Sequence, residues 1–170
     1  TNVLANRVAV DKPLTLRSVN GPEVTIIQGY QVPVTTNGDG AIRCVYLTNG
    51  ASLSGFTLTS GATQTNGDYY ADQRHGGGLL CESLNAVVSN CVVVGNSANI
   101  YGGGAYRGTL NNCSLKGNSA TYGGGVSDAT LNNCSLTGNS ASDDGGGAYR
   151  GTLNDCLLSG NWAYSYGGGY

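Results

Sequence analysis

Apolar residues in this chain come in very short runs, broken every few positions by Gly, Asn, Ser or Thr. In the C-terminal half the order recurs as Leu110, then Asn111-Asn112, then Cys113 and Leu115, then Gly117-Asn118. The alternation in Cys113-Ser114-Leu115 has the strand period of two. No run reaches helix length, and Gly and Asn interrupt each candidate, so the pattern predicts short strands joined by tight bends.

The pattern is periodic. Gly-Gly-Gly begins at Gly76, Gly102, Gly123, Gly145 and Gly167, and the last four triplets are 21 or 22 residues apart. The units GGGAYRGTLNNCSLKGNSA, GGGVSDATLNNCSLTGNSA and GGGAYRGTLNDCLLSGNWA align without gaps. A unit of this length with three strands is one turn of a solenoid. Val88 to Val93 and Leu53 to Leu58 fit the template of Leu110 to Leu115, and Arg7 to Val10, Leu14 to Val19 and Val24 to Gly29 supply a less regular first turn. The expectation is an all-β parallel β-helix of about six coils, 21-22 residues per regular coil and about 29 Å long at ~4.8 Å per coil. Residues 1-170 read as a single domain, with irregular coils over 1-75, insertions at 30-40 and 62-75, and regular repeats over 76-170.

Three columns follow from the alignment. Asn90, Asn112, Asn133 and Asp155, with Gly55 in the same place, fall at the corner before the Cys or Phe position. Such residues tolerate a left-handed corner, and stacked Asn amides can bond from coil to coil. Cys91, Cys113, Cys134 and Cys156 share one register and should stack as buried thiols acting as small apolar residues. Disulfides and a metal are the alternatives there, although parallel side chains suit neither the torsion of a bridge nor tetrahedral ligation. Cys44 and Cys81, early in their coils, suggest a second, shorter stack or a bridge. The Gly triplets form the third column, where the missing side chains admit close backbone approach.

These repeats resemble those of right-handed parallel β-helices of the pectate-lyase-like superfamily. They are most similar to polymorphic outer-membrane proteins, bacterial surface adhesins marked by GGA plus an aliphatic residue and by F-x-x-N. The matching segments are Gly103-Gly104-Ala105, Gly124-Gly125-Val126 and Gly146-Gly147-Ala148, with Leu115-Lys116-Gly117-Asn118 and Leu136-Thr137-Gly138-Asn139, where Leu replaces Phe. The match spans about residues 76 to 163, and the family's membrane barrel has no counterpart here. The resemblance implies an exported or cell-surface scaffold.

Composition narrows the choice of partner. The net charge is −2 and the eight Lys and Arg residues are scattered singly, so no basic footprint for nucleic acid is present. No stretch has the ~20 consecutive apolar residues that span a bilayer. No metal cluster or cofactor motif is recognisable, and Asp128, Asp143 and Asp144 supply too few carboxylates for a calcium cluster.

Candidate chemistry gathers where the period fails. The insertion Ala62 to His75 concentrates Asp68, Tyr69, Tyr70, Asp72, Arg74 and the one histidine, His75. These groups suit acid/base work or stacking on sugars, and Asp72, Arg74 and His75 are the catalytic candidates. The loop Tyr30 to Gly40 should emerge one coil earlier and form the other wall. Arg107, Asp128 and Arg150 align in three successive coils, either as a solvated charge ladder or as an anion or uronate site; polysaccharide lyases of the β-helix class use such residues on this surface. Tyr101, Tyr122 and Tyr166 precede Gly triplets in register with His75 and Asp144, and Trp162 replaces a repeat Ser.

The expected function is therefore a secreted or cell-surface, adhesin-like binding module without catalysis, whose partner is a polysaccharide or a host surface ligand. A lyase or glycoside hydrolase acting on acidic glycans is the competing reading. Uncapped ends motivate a third, a unit that self-associates head to tail in a fibre or belongs to a longer protein.

Overall fold

A computed structural model describes residues 4–66 and 72–170. Among these, every strand belongs to one of four parallel sheets stacked along a common axis. The first sheet is built from Ala5–Val10, Ile42–Leu47, Leu79–Cys81, Ala105–Tyr106, Val126–Ser127 and Ala148–Tyr149. The second comprises Thr15–Arg17, Ser52–Ser54, Val87–Ser89, Thr109–Asn111, Thr130–Asn132 and Thr152–Asn154, and the third Ile26–Gln28, Thr57–Thr59, Val92–Val94, Ser114–Lys116, Ser135–Thr137 and Leu157–Ser159. The chain visits the three in turn six times, which makes the parallel β-solenoid of about six coils that the periodicity predicts.

The two-residue alternation decides which side chain enters the core. In Thr109–Asn111 and Ser114–Lys116 only the central Leu110 and Leu115 are fully enclosed, and the same holds for Leu131 and Leu136 one coil on. Registers such as Leu53↔Val88 and Leu58↔Val93 stack like residues into one continuous apolar core. Each enclosed Leu or Val is worth about 1.5–3 kcal/mol.

The expected three strands per turn are exceeded in the regular coils. Ser119–Ala120, Ser140–Ala141 and Trp162–Ala163 form a fourth parallel sheet, because the Asn before each pair turns inward and extends the chain. This is the interior amide ladder. Asn96, Asn118 and Asn139 are buried; Asn118 Nδ2 donates to Asn139 Oδ1 at 3.0 Å and to Val93 O at 2.9 Å, and Asn139 Nδ2 continues to Asn161 Oδ1 at 3.0 Å.

The column expected to carry amide bonding has a different task. Asn90, Asn112, Asn133 and Asp155 do hold left-handed corners, with φ of 51°, 53°, 53° and 52°, but they are exposed. A second, outward ladder runs through Asn111, Asn132 and Asn154, with 2.8 Å amide bonds between neighbours. The Gly triplets explain themselves against the interior ladder. Gly102 has φ +64°, and a Cβ on Gly104 would meet Gly125 O at 2.6 Å and the Asn118 amide carbon at 3.1 Å.

All six cysteines are free thiols. Cys91, Cys113 and Cys134 stack buried at the corner between second and third sheets, with the Cys113 amide donating to Cys134 Sγ at 3.4 Å. Cys44 and Cys81 do not stack on each other. Leu47 pairs with Cys81, which leaves Cys44 three positions earlier, against Thr59 O and Asn96 Oδ1. Burial pushes both of these thiols up to about 12.

Candidate functional site

The insertion is anchored to the solenoid at both ends. Near its start, Thr63 N donates to Asn37 Oδ1 at 3.0 Å, and Thr63 Oγ1 accepts from Asn99 N at 2.8 Å. Near its end, Arg74 grips Asn99 Oδ1 through Nε and Nη2 at 2.9 and 2.7 Å. Asp68, Tyr69 and Tyr70 lie outside the described residues. Loop 30–40 meets the insertion at Asn37 and Thr63, over Ser97 of the adjoining coil.

The C-terminal end of the insertion is organised by Arg43, a residue that sequence reasoning missed. Its guanidinium is buried and donates to Gly76 O at 2.8 Å, to Asp72 O and His75 O at 2.7 Å, and to Asn6 Oδ1 at 2.8 Å. A flat fork with five donors can satisfy this many converging acceptors, as an ammonium cannot. Desolvation lowers its pKa to about 10, against the opposing pull of Asp72, so the cation persists at neutral pH. Only the spacing of Arg43 within an otherwise apolar strand hinted at a special task.

Held this way, Asp72 joins the insertion to the repeat. Its Oδ1 lies 3.0 Å from His75 Nδ1 and its Oδ2 lies 3.3 Å from Arg107 Nη1. His75 is enclosed, with its ring 5.1 Å from that of Tyr101 and 4.8 Å from that of Tyr106. A side chain only 2% exposed cannot meet a polymeric substrate, so His75 positions Asp72 and the tyrosines rather than presenting a base at the surface.

The small side chain of Ser127 then allows an aromatic arrangement that crosses coils. Register places Tyr106, Ser127 and Tyr149 in one column. Tyr101 lies between the two column tyrosines, 6.1 Å from Tyr106 at an interplanar angle of 19° and 6.0 Å from Tyr149 at 15°. Tyr122 leans on both Tyr101 and Tyr149 at 5.3 and 5.2 Å. The guanidinium carbons of Arg107 and Arg150 stand 4.6 and 5.1 Å from the ring centres of Tyr106 and Tyr149, within cation–π range.

Arg107, Asp128 and Arg150 line one cleft of ≈ 380 Å³ with Tyr101, Tyr106 and Glu82. All three column residues have left-handed backbones, with φ of 59°, 53° and 52°, so each leaves its corner in the same way. The charge ladder has no Arg–Asp ion pair within it among the described residues: Arg107 pairs with Asp72, and Asp128 accepts from Ser127 Oγ at 2.8 Å. Arg150 is exposed and has no ion-pair partner among the described residues. Glu82, also missed from sequence, accepts from Thr48 Oγ1 at 2.6 Å, from the Tyr46 hydroxyl and from Asn49 N at 2.9 Å, which together hold its carboxyl below the ordinary value.

The cleft thus brings guanidinium donors, carboxylate acceptors and tyrosine rings together on one wall. A larger groove of ≈ 600 Å³ follows Asn90, Asn112 and Asn133, but Asp155 is the single charged group lining it. Among the described residues no three His, Cys, Asp or Glu side chains form a group able to hold a metal ion. No family model, curated protein or solved structure matches this chain.

Proposed function

We propose that this chain is a noncatalytic binding module of an exported, cell-surface β-solenoid, and that the cleft around Arg107, Asp128 and Arg150 binds an acidic glycan. The observation that carries the reading is Arg150, an exposed arginine braced on Tyr149 and left without a carboxylate partner among the described residues. Arginine matches a carboxylate or sulfate with two parallel hydrogen bonds, and the Tyr149 ring against Arg150 fixes the position of its guanidinium. Arg107 still has N–H donors beyond the one engaged by Asp72.

Catalysis is the second reading, favoured by one observation, the Asp72–His75 pair that orients an imidazole. Against it stands the enclosure of that imidazole, which has Asp72 at one nitrogen and is packed by the rings of Tyr101 and Tyr106. The two readings separate in one experiment. Acidic oligosaccharides are titrated into wild type and Arg150→Asn, and the mixtures are assayed for unsaturated products and new reducing ends. Binding that weakens about tenfold in the variant without product supports the module. Product that disappears on His75→Gln would establish an enzyme, and no binding to any acidic glycan would sink the proposal.

A further inference from the structure

We infer that the cleft selects an acidic polymer whose charged units alternate with uncharged ones, over a polymer charged at every unit. This rests on the reading that the cleft binds acidic glycans.

The argument is one of pitch and sign. The registers Tyr106↔Ser127 and Ser127↔Tyr149 place Arg107, Asp128 and Arg150 on three successive coils. Their nearly equal left-handed φ angles start each side chain in the same direction. Parallel strands repeat every ~4.8 Å, so the backbones of Arg107 and Arg150 are about 9.6 Å apart along the axis with that of Asp128 between them. Asp128 is not neutralised by an ion pair among the described residues, its side chain being held by Ser127 Oγ.

A pyranose chain laid along the axis advances by about one sugar per coil. With a carboxylate on every sugar, one of three charges would face Asp128, and like charges brought together cost binding. With carboxylates on alternate sugars, Arg150 receives one and Arg107 a second through the N–H donors that Asp72 leaves free, while the intervening sugar turns a hydroxyl or amide N–H toward the Asp128 acceptor. Asp128 thereby acts as a specificity residue by rejecting the wrong charge pattern.

The test compares three oligosaccharides of equal length by calorimetric titration: hyaluronan fragments with alternating uronate, oligogalacturonate with uronate throughout, and neutral cello-oligosaccharide. Wild type and Asp128→Asn are both measured, because Asn keeps the left-handed corner and a similar shape. Wild type is expected to prefer the alternating chain about tenfold, and Asp128→Asn to bring the two acidic ligands within about twofold, chiefly by gain on oligogalacturonate. Equal or tighter wild-type binding of oligogalacturonate overturns the inference and leaves the acidic-glycan reading standing, as does an unchanged ratio in Asp128→Asn. Failure of both acidic ligands to exceed the neutral one overturns the inference together with the reading beneath it.

Discussion

Asp72 and Arg107 stand 35 residues apart in the chain, yet the Oδ2 of one lies 3.3 Å from Nη1 of the other. That contact bridges the irregular and the regular parts of the molecule. It brings the insertion onto the charge column, and through Oδ1 it sets the His75 ring among the tyrosines. Charged groups that a linear reading finds in two places thereby come into contact.

Removing the Asp72 charge should strengthen, not weaken, the capture of an anion. Asp72→Asn keeps a left-handed-tolerant residue and an acceptor for His75 while releasing Arg107 from its carboxylate. Acidic oligosaccharide affinity should rise about threefold at low ionic strength and lose that gain at high salt, while stability falls by about 1 kcal/mol at most. Titration at two salt concentrations checks the first part, and chemical denaturation the second.

Arg43 should be the costliest charge to remove. Arg43→Met strips donors from the carbonyls of Gly76, Asp72 and His75 and from Asn6, for a loss of about 3 kcal/mol. Arg43→Lys should recover little of it, since an ammonium cannot span those acceptors. Urea midpoints measure both, and hydrogen exchange should localise the loosening to residues 72–77.

The two asparagine columns should respond differently to substitution. Asn139→Leu leaves Asn118 N, Asn118 Nδ2 and Leu115 O without their buried partner, and should cost about 3 kcal/mol. Asn133 is exposed and works through its φ of 53°, so Asn133→Ala should cost about 1 kcal/mol and Asn133→Gly almost nothing. Equal losses at Asn139 and Asn133 in urea denaturation would refute the assignment of roles.

Alkaline conditions should unfold the solenoid through its thiols. Burial raises Cys44 and Cys81 from the ordinary 9.0 to about 12, so between those values the unfolded chain releases protons that the folded chain keeps. Stability from these groups is complete below pH 9 and declines above it, by about 1.4 kcal/mol per pH unit for each thiol. A Cys81→Ala variant should show a shallower decline in melting temperature from pH 9 to 11 than wild type.

Particular residues show where inference from sequence ran out. The corner role of Asn112 was legible because an Asn before an inward position, repeated at each turn, has a local conformational reason. That Asn118, and not Asn112, carries the buried amides was not legible. Both recur with the same period, and side-chain direction at a bend depends on the strand stacked above it. Arg43 sits in an irregular coil, and Glu82 has no acidic counterpart at the same place in the later repeats, so no column marked either. The alignment of Arg107, Asp128 and Arg150 was readable, whereas their use of Asp72 and Tyr149 in place of one another was not.

The amino-acid order by itself determined the coil, its period, the residue that points inward on each strand and the corners that need left-handed residues. Those properties repeat, and each depends on a few neighbouring positions. Only the tertiary structure decided which amides turn inward, how Tyr101 enters the space above Ser127, and that the insertion closes on Arg107. These are contacts between coils, set by stacking distance and by the room a small side chain leaves, and no local pattern encodes them.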